Sequence, residues 1–203
     1  MMASDAKGQD PLASLAASLQ GHNEGPATGL ATVTGRPLPP VERWNPSYCG
    51  DIDIEIRADG SWWHEGTPIK RRELVKLFAS ILIREQEHYY LVTPVEKVKI
   101  RVQLHPLIVI DAEPLQAPRN GGVSQQDAYP IQVLTLNTGG QIPVTNRYPL
   151  ALEPRANGAA FVTLERGLTA LFSRAAWYRL VESADDSGAV HSGDYRFVLT
   201  DEL

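Results

Sequence analysis

The chain has almost no cysteine: Cys49 is the only one among 203 residues. A single cysteine cannot form an internal disulfide or a multi-cysteine zinc site, which excludes a secreted disulfide scaffold. The five histidines are scattered without the spacing of a metal motif. Because Cys49 lies beside an apolar strand, we expect a buried structural thiol there. We expect neither a metal nor a cofactor.

The chain also lacks an excess of positive charge, long apolar runs and the common nucleotide loops. Its net charge is -5, which argues against duplex nucleic acid as a partner. No apolar run approaches the length of a membrane span, and the start of the chain does not read as a signal peptide. Neither GxGxxG nor GxxxxGK[ST] occurs. We therefore expect a cytoplasmic protein without membrane contact.

Residues 1–37 are predicted to form a short helix and a flexible linker. The stretch DPLASLAASLQG places leucines at helical spacing, and a run rich in glycine, threonine and proline follows it.

Residues 38–103 are predicted to form an α+β subdomain. The stretch DIDIEIR alternates as a half-buried strand does, and Asp59–Gly60 predicts a hairpin turn into WWHE. From Arg71 to about Arg84 the apolar spacing becomes helical. Two further strands follow, HYYLVTP and VEKVKIRV, and the alternation in the second slips near Glu96–Lys97, which predicts a bulge or a bend.

Residues 104–203 are predicted to form a second, structurally related subdomain of antiparallel strands and one helix. Two hairpin patterns precede a helix capped by Ser173, and YRFVLT closes the chain as a strand. This order is compatible with a small, partly open barrel plugged by the helix.

The stretch WWHEGTPIKRRELVKLF contains the least ordinary charge pattern. Lys70, Arg71 and Arg72 stand at the predicted helix start, where about half a positive charge already resides. Either an anion binds there, or neighbouring glutamates neutralise the cations. His64 and Glu65 are adjacent on a strand and point to opposite faces, which argues against a catalytic pair.

The ordered blocks LPPVERWNPSYCGDIDIEI, DGSWWHEGTPIKRRELVKLFASIL and YYLVTPVEKVKI resemble a bacterial family of unknown function, the one numbered 1285. In the second half, HPLIVIDAE and SRAAWYRLV resemble the same family less closely. The resemblance implies a two-part α+β fold with internal duplication and a pleckstrin-homology-like second part. It also implies a nucleotide-like ligand between the parts and a role in signalling. Lys70 departs from the family pattern.

These considerations lead to one site hypothesis and two alternatives. A non-enzymatic protein would bind a small anionic ligand between its subdomains, with arginine and lysine on the anion and aromatic rings on a base. The alternatives are an enzyme with His64 or Glu96 as acid–base group in the same cleft, and a protein-interaction module with no small ligand. The candidate ligand-binding residues are Trp62, Trp63, Arg71, Thr93, Glu96, Lys97, Arg174 and Tyr178.

Overall fold

The computed structural model describes residues 17, 34–35, 38–115 and 129–199. The helix and linker predicted for residues 1–37 fall almost wholly outside these residues. Within them, no helix has the length and apolar content needed to cross a bilayer.

The first half of the described chain is a six-stranded sheet with one helix, α1 (Arg72–Ser80), between its third and fourth strands. The strand order is β3-β2-β1-β6-β5-β4. All neighbouring strands are antiparallel except β1 and β6, which run parallel. The strands are β1 (Tyr48–Ile56), β2 (Trp62–His64), β3 (Thr67–Pro68), β4 (Leu82–Glu85), β5 (His88–Val92) and β6 (Lys97–Val102).

The second half repeats this strand order. Its six-stranded sheet runs β10-β11-β12-β7-β8-β9, again with one parallel pair, β7 and β12, at the centre. The strands are β7 (Leu107–Leu115), β8 (Ile131–Leu136), β9 (Gln141–Pro143), β10 (Leu150–Glu153), β11 (Ala159–Thr163) and β12 (Thr169–Phe172). Helix α2 (Arg174–Glu182) and a hairpin of β13 (Ala189–Ser192) and β14 (Tyr195–Val198) follow.

The prediction of an α+β fold built from two similar subdomains is confirmed. Each half makes two three-stranded meanders and joins them through its first and last strands. Local alternation predicts strands but not which distant strands pair, so the central parallel pairs were not predicted. The pleckstrin-homology-like barrel of the second half stays a prediction.

Helix α1 is shorter than predicted. The apolar pattern indicated a helix to about Arg84, but the helix ends at Ser80, and Ile81 caps it by donating its N–H to Phe78 O. Leu82 then pairs with Leu91 in the sheet. Ile81 and Leu82 are fully buried, as the pattern predicted. The pattern failed only because the first residues of a buried strand continued the helical spacing.

Two local predictions concern β1 and β6. The slip near Glu96–Lys97 is a bend at Pro94 and Val95, one of the two predicted alternatives, and the Thr93 hydroxyl accepts hydrogen bonds from the N–H groups of Val95 and Glu96. The register irregularities lie in the pairing of β1 with β6, between Tyr48 and Glu55 of β1. Cys49 belongs to that segment and is exposed, so the prediction of a buried thiol is wrong. Within β1, packing against the apolar core begins only at Ile52, three residues further along the strand.

The two halves share one apolar core and meet along a seam. Buried side chains of both halves form a single cluster, which includes Ile54, Phe78, Leu134 and Val162. The β1–β2 turn reaches across this seam: a Cβ atom placed on Gly60 would lie 2.5 Å from Ile108 Cγ1. The core therefore fixes the halves against each other.

Candidate functional site

A recess at one edge of the seam, which we call the seam cleft, has a volume of about 310 Å³. Its walls come from the 3-10 helix Val41–Arg43 and the segment leading into β1, from β4, from the start of β6, and from one arginine of the second half. The lining residues are Val41, Glu42, Trp44, Asn45, Pro46, Ile83, Arg84, Glu85, Val92, Lys97 and Arg166.

Arg166 builds the cleft by tying the halves together. Its backbone is left-handed, with φ of 59°, and its side chain is 8% exposed. Nε donates to Glu42 Oε1 at 2.6 Å, while the terminal nitrogens donate to Ser80 O at 2.7 Å and Pro39 O at 2.6 Å. Because every nitrogen of this guanidinium has an acceptor, Arg166 shapes the cleft and is poorly placed to bind an anion.

Lys97 supplies an accessible cation. Its Nζ lies 2.6 Å from Glu85 Oε2 and 4.5 Å from the centre of the Tyr90 ring. Tyr48 packs edge-on against Tyr90, with ring centres 6.2 Å apart. A hydrogen bond from Tyr48 to Asp51 raises the pKa of Tyr48 to about 12, so this aromatic side of Lys97 carries a neutral phenol at neutral pH.

Arg84 lies between the seam cleft and a second recess and borders both. One terminal nitrogen donates to both oxygens of Glu87 at 3.2 Å. Its Nε is buried and has no hydrogen-bond partner in the described part of the chain. A buried N–H without an acceptor costs about 1–3 kcal/mol, and such donors in native proteins commonly face a water or a ligand.

The second recess, which we call the relay cavity, has a volume of about 240 Å³ and also crosses the seam. His105 is 4% exposed and lies between two side chains. Its Nδ1 is 2.8 Å from Thr169 Oγ1, and its Nε2 is 3.0 Å from Glu153 Oε2. The lining residues are Arg84, Glu87, Tyr89, Val102, Gln103, Leu104, His105, Glu153, Arg155, Phe161 and Thr169.

The charge states in this cavity follow from its hydrogen bonds. Arg155 donates from its side chain and its backbone to Glu153, and these bonds lower the pKa of that carboxyl to about 2. Burial lowers the pKa of His105, against the opposing effect of Glu153. At neutral pH the cavity therefore holds a neutral histidine between a hydroxyl and a carboxylate. None of these residues was predicted from the sequence as part of a site.

Comparison with known proteins gives the family. The model of the DUF1285 N-terminal domain, a domain of unknown function, matches residues 39–104. The chain is 34% identical to a DUF1285 family protein from Silicibacter pomeroyi DSS-3 whose crystal structure is known. The match covers 93% of this chain and 95% of that chain, with a TM-score of 0.69. The chain belongs to the DUF1285 family.

A second DUF1285 structure supports the same assignment. The crystal structure of a family protein from Shewanella baltica OS155 is 28% identical and has a TM-score of 0.50. That match covers 65% of this chain and 92% of that chain. No curated protein matches this sequence. The resemblance drawn from the sequence blocks is thus confirmed at the level of the family.

Of the eight side chains predicted for the ligand site of this DUF1285 protein, Lys97 is in the described lining of the seam cleft. Thr93 and Glu96 form the turn just before it: Thr93 is fully buried, and Glu96 has a buried Oε1 without a partner among the described residues. Trp62 is 2% exposed and stacks on Phe78 in the core.

The remaining four predicted residues, like Trp62, Thr93 and Glu96, are absent from that lining. Trp63 is half-buried under Arg57, whose guanidinium is 3.4 Å from the ring centre. Arg71 is exposed at the start of α1. Arg174 and Tyr178 are exposed on α2 and contact each other, with Arg174 Nε 3.3 Å from the Tyr178 hydroxyl. His64, the alternative acid–base group, is half-buried on β2 and also absent from the cleft lining.

Sequence reasoning missed Trp44, Arg84 and Arg166 in the cleft. Trp44 belongs to one of the blocks that carry the family resemblance, so it could have been added to the candidate stacking residues. The apolar pattern places Arg84 at the end of a helix, and the hairpin pattern places Arg166 in a turn. The geometry of neither arginine could be inferred from its neighbours in sequence.

Proposed function

We propose that this DUF1285 protein binds a small anionic, nucleotide-like ligand in the seam cleft. The observation that carries the proposal is that two cationic side chains, Arg84 and Lys97, line the same recess, and that Arg84 Nε has no acceptor among the described residues. A phosphate group satisfies both groups, since it offers several acceptor oxygens and negative charge.

The Lys97–Glu85 pair does not prevent such binding. The Glu85 side chain is 51% exposed, and an exposed ion pair contributes about 0–1 kcal/mol at most. A dianionic phosphate can therefore replace Glu85 beside Lys97 at small cost. The indole of Trp44 forms part of the cleft wall and offers a surface for a base, because stacking on aromatic side chains is tolerant of base identity.

A signalling role follows as the second part of the proposal. A ligand in the seam cleft contacts β4 and β6 of the first half and lies beside Arg166 of the second. Its binding energy would therefore depend on how the halves sit against each other, and occupancy would in turn stabilise one arrangement.

The test is a thermal-shift screen with nucleoside mono-, di- and triphosphates and with inorganic phosphate. A ligand that binds only the folded protein raises the unfolding midpoint as its concentration increases. We expect Lys97→Ala and Arg84→Gln to remove the shift. Lys99→Ala is the matched control, because Lys99 lies on the same strand outside the cleft lining.

Arg71→Ala separates this site from the one suggested by the cations at the start of α1. A shift lost only in Arg71→Ala would place the anion at the helix start. Equal shifts in all variants would place it outside both sites, and no shift with any phosphate compound would refute anion binding altogether.

A further inference from the structure

Thr169, His105 and Glu153 form a chain of hydrogen bonds with the roles of a nucleophile, a base and a positioning group. All three residues are buried, with exposures of 8%, 4% and 6%. The two bonds that connect them measure 2.8 Å and 3.0 Å. Both are within the range that such an arrangement requires.

The direction of these bonds is determined by Arg155. Its backbone N–H and side chain donate to Glu153 at 3.0, 2.9 and 2.9 Å, which keeps the carboxylate ionised. An ionised carboxylate only accepts hydrogen bonds, so the proton of neutral His105 is on Nε2. Nδ1 then carries the lone pair and accepts the proton of the Thr169 hydroxyl. This is the tautomer in which the histidine can act as general base on the hydroxyl.

The cavity gives this hydroxyl access to a small molecule. Thr169 and His105 line a recess of about 240 Å³ that Phe161, Val102 and Leu104 make partly apolar. The Phe161 ring lies 4.9 Å from the His105 ring and fixes its orientation. Tyr89 and Arg84 border the same recess on the side of the first half.

We propose that the relay cavity is a nucleophilic acyl-transfer site for small esters, with Thr169 as nucleophile, His105 as general base and Glu153 as positioning residue. Thr169 Oγ1 forms a bond to the ester carbonyl carbon while its proton passes to His105 Nδ1. The carbonyl oxygen takes the negative charge. The bond to the leaving alkoxide then breaks, and the alkoxide receives the proton from His105. Water, deprotonated by the same histidine, releases the acid and regenerates the Thr169 hydroxyl.

Thr163 provides a matched control within the fold. It pairs directly with Thr169 across β11 and β12, but it is exposed and lies outside the described lining of the cavity. A reagent that modifies threonines without regard to activation should prefer Thr163. An activated nucleophile should make Thr169 the preferred site despite its burial.

The experiment uses a small alkyl fluorophosphonate, with modification followed by mass spectrometry of the intact protein and of its peptides. In this reaction the threonine oxygen bonds to phosphorus, fluoride leaves, and the proton passes to His105 and then to solvent. We expect one label on Thr169 in the wild type and in Thr163→Ala. We expect no label at that position in Thr169→Ala, and a rate lower by about 100-fold or more in His105→Gln, because a general base contributes about 10²–10⁴.

Glu153→Gln tests the positioning role through the pH profile. Loss of the carboxylate removes the charge that favours protonated His105, so the midpoint of labelling against pH should move to lower pH while the rate falls. A structural role alone would not move the midpoint. Circular dichroism checks each fold, and Thr169→Ser, which keeps the hydroxyl, should still be labelled if Thr169→Ala fails to fold.

An unlabelled wild type, labelling that persists in Thr169→Ala, or an unchanged rate in His105→Gln would each overturn the proposal. Labelling is measured without nucleotide, and the thermal shifts are measured without the probe. Failure of one proposal therefore leaves the other unaffected.

Discussion

The two halves of the molecule place different chemistry at the same topological positions. Glu85 and Glu153 end the equivalent outer strands β4 and β10, and Lys97 and Thr169 begin the equivalent strands β6 and β12. In the first half Glu85 meets Lys97 directly in a half-exposed ion pair. In the second half His105 bridges Glu153 and Thr169 in a buried chain. The same strand order thus supports a solvent-facing ion pair in the first half and a buried chain of hydrogen bonds in the second. The difference is His105, which lies in the segment just before β7.

The largest difference between the halves should appear when each glutamate is removed. Glu153→Ala leaves the buried donor His105 Nε2 without an acceptor, which costs about 1–3 kcal/mol. Glu85→Ala removes an exposed pair and should cost less than about 1 kcal/mol. Urea unfolding of both variants gives the two values. Equal costs would mean that the relay is no more closely integrated into the fold than the surface pair.

The next largest difference in stability should come from substituting Gly60, where the two halves are in contact, instead of Gly66. Gly60 has φ of +78°, and an added Cβ would approach Ile108 Cγ1 at 2.5 Å and Asn137 Nδ2 at 2.9 Å. Gly66 has φ of +71° with open space around it. Gly60→Ala should cost about 2–4 kcal/mol, as strain and overpacking add, whereas Gly66→Ala should cost about 1–2 kcal/mol from strain alone. Similar values for the two would show that the turn does not press on the second half.

The relay should also make stability depend on pH in a defined direction. The pKa of Glu153 falls from an ordinary value of 4.5 to about 2 on folding, so its contribution is present above pH 4.5 and is lost as pH falls toward 2. The lowered pKa of His105 acts in the same direction below pH 6.5. Urea midpoints measured across this range should fall less steeply in Glu153→Gln, and an equal slope would contradict the assignment.

The smallest predicted effect compares the starts of the two helices. Ser173 caps α2 by accepting from Ala176 N at 3.2 Å, whereas Arg71 precedes α1 without a side-chain cap. Ser173→Ala should cost about 1 kcal/mol, and Arg71→Ser should stabilise by up to about 1 kcal/mol. Thermal unfolding measures both. A destabilising Arg71→Ser would mean that Arg71 makes an interaction of its own at the helix start.

Features that depend on near neighbours could be predicted from the sequence. Alternation in DIDIEIR identified β1 and its buried face with Ile54 and Ile56, and Ser173 identified the start of α2. The end of α1 was wrong because a buried strand continued the helical spacing. His105 was missed because its partners lie 48 and 64 positions away in the chain. The side chain of Arg166 likewise spans more than 80 positions to reach Ser80.

The parallel pair at the centre of each sheet affects how copies of the six-stranded unit can be joined in one chain. Because β1 and β6 run side by side in the same direction, the chain enters the first sheet at one end and leaves it at the other. A second copy can follow through a short connector without threading back, and the chain continues in this way from Val102 to Leu107. After β12, the last strand of the second sheet, the chain instead turns into α2, which packs back on β7. At this turn Ser173 N donates to Val109 O at 2.8 Å. Each six-stranded unit can therefore be followed directly by another along the chain, and α2 ends this series by packing back onto the second sheet.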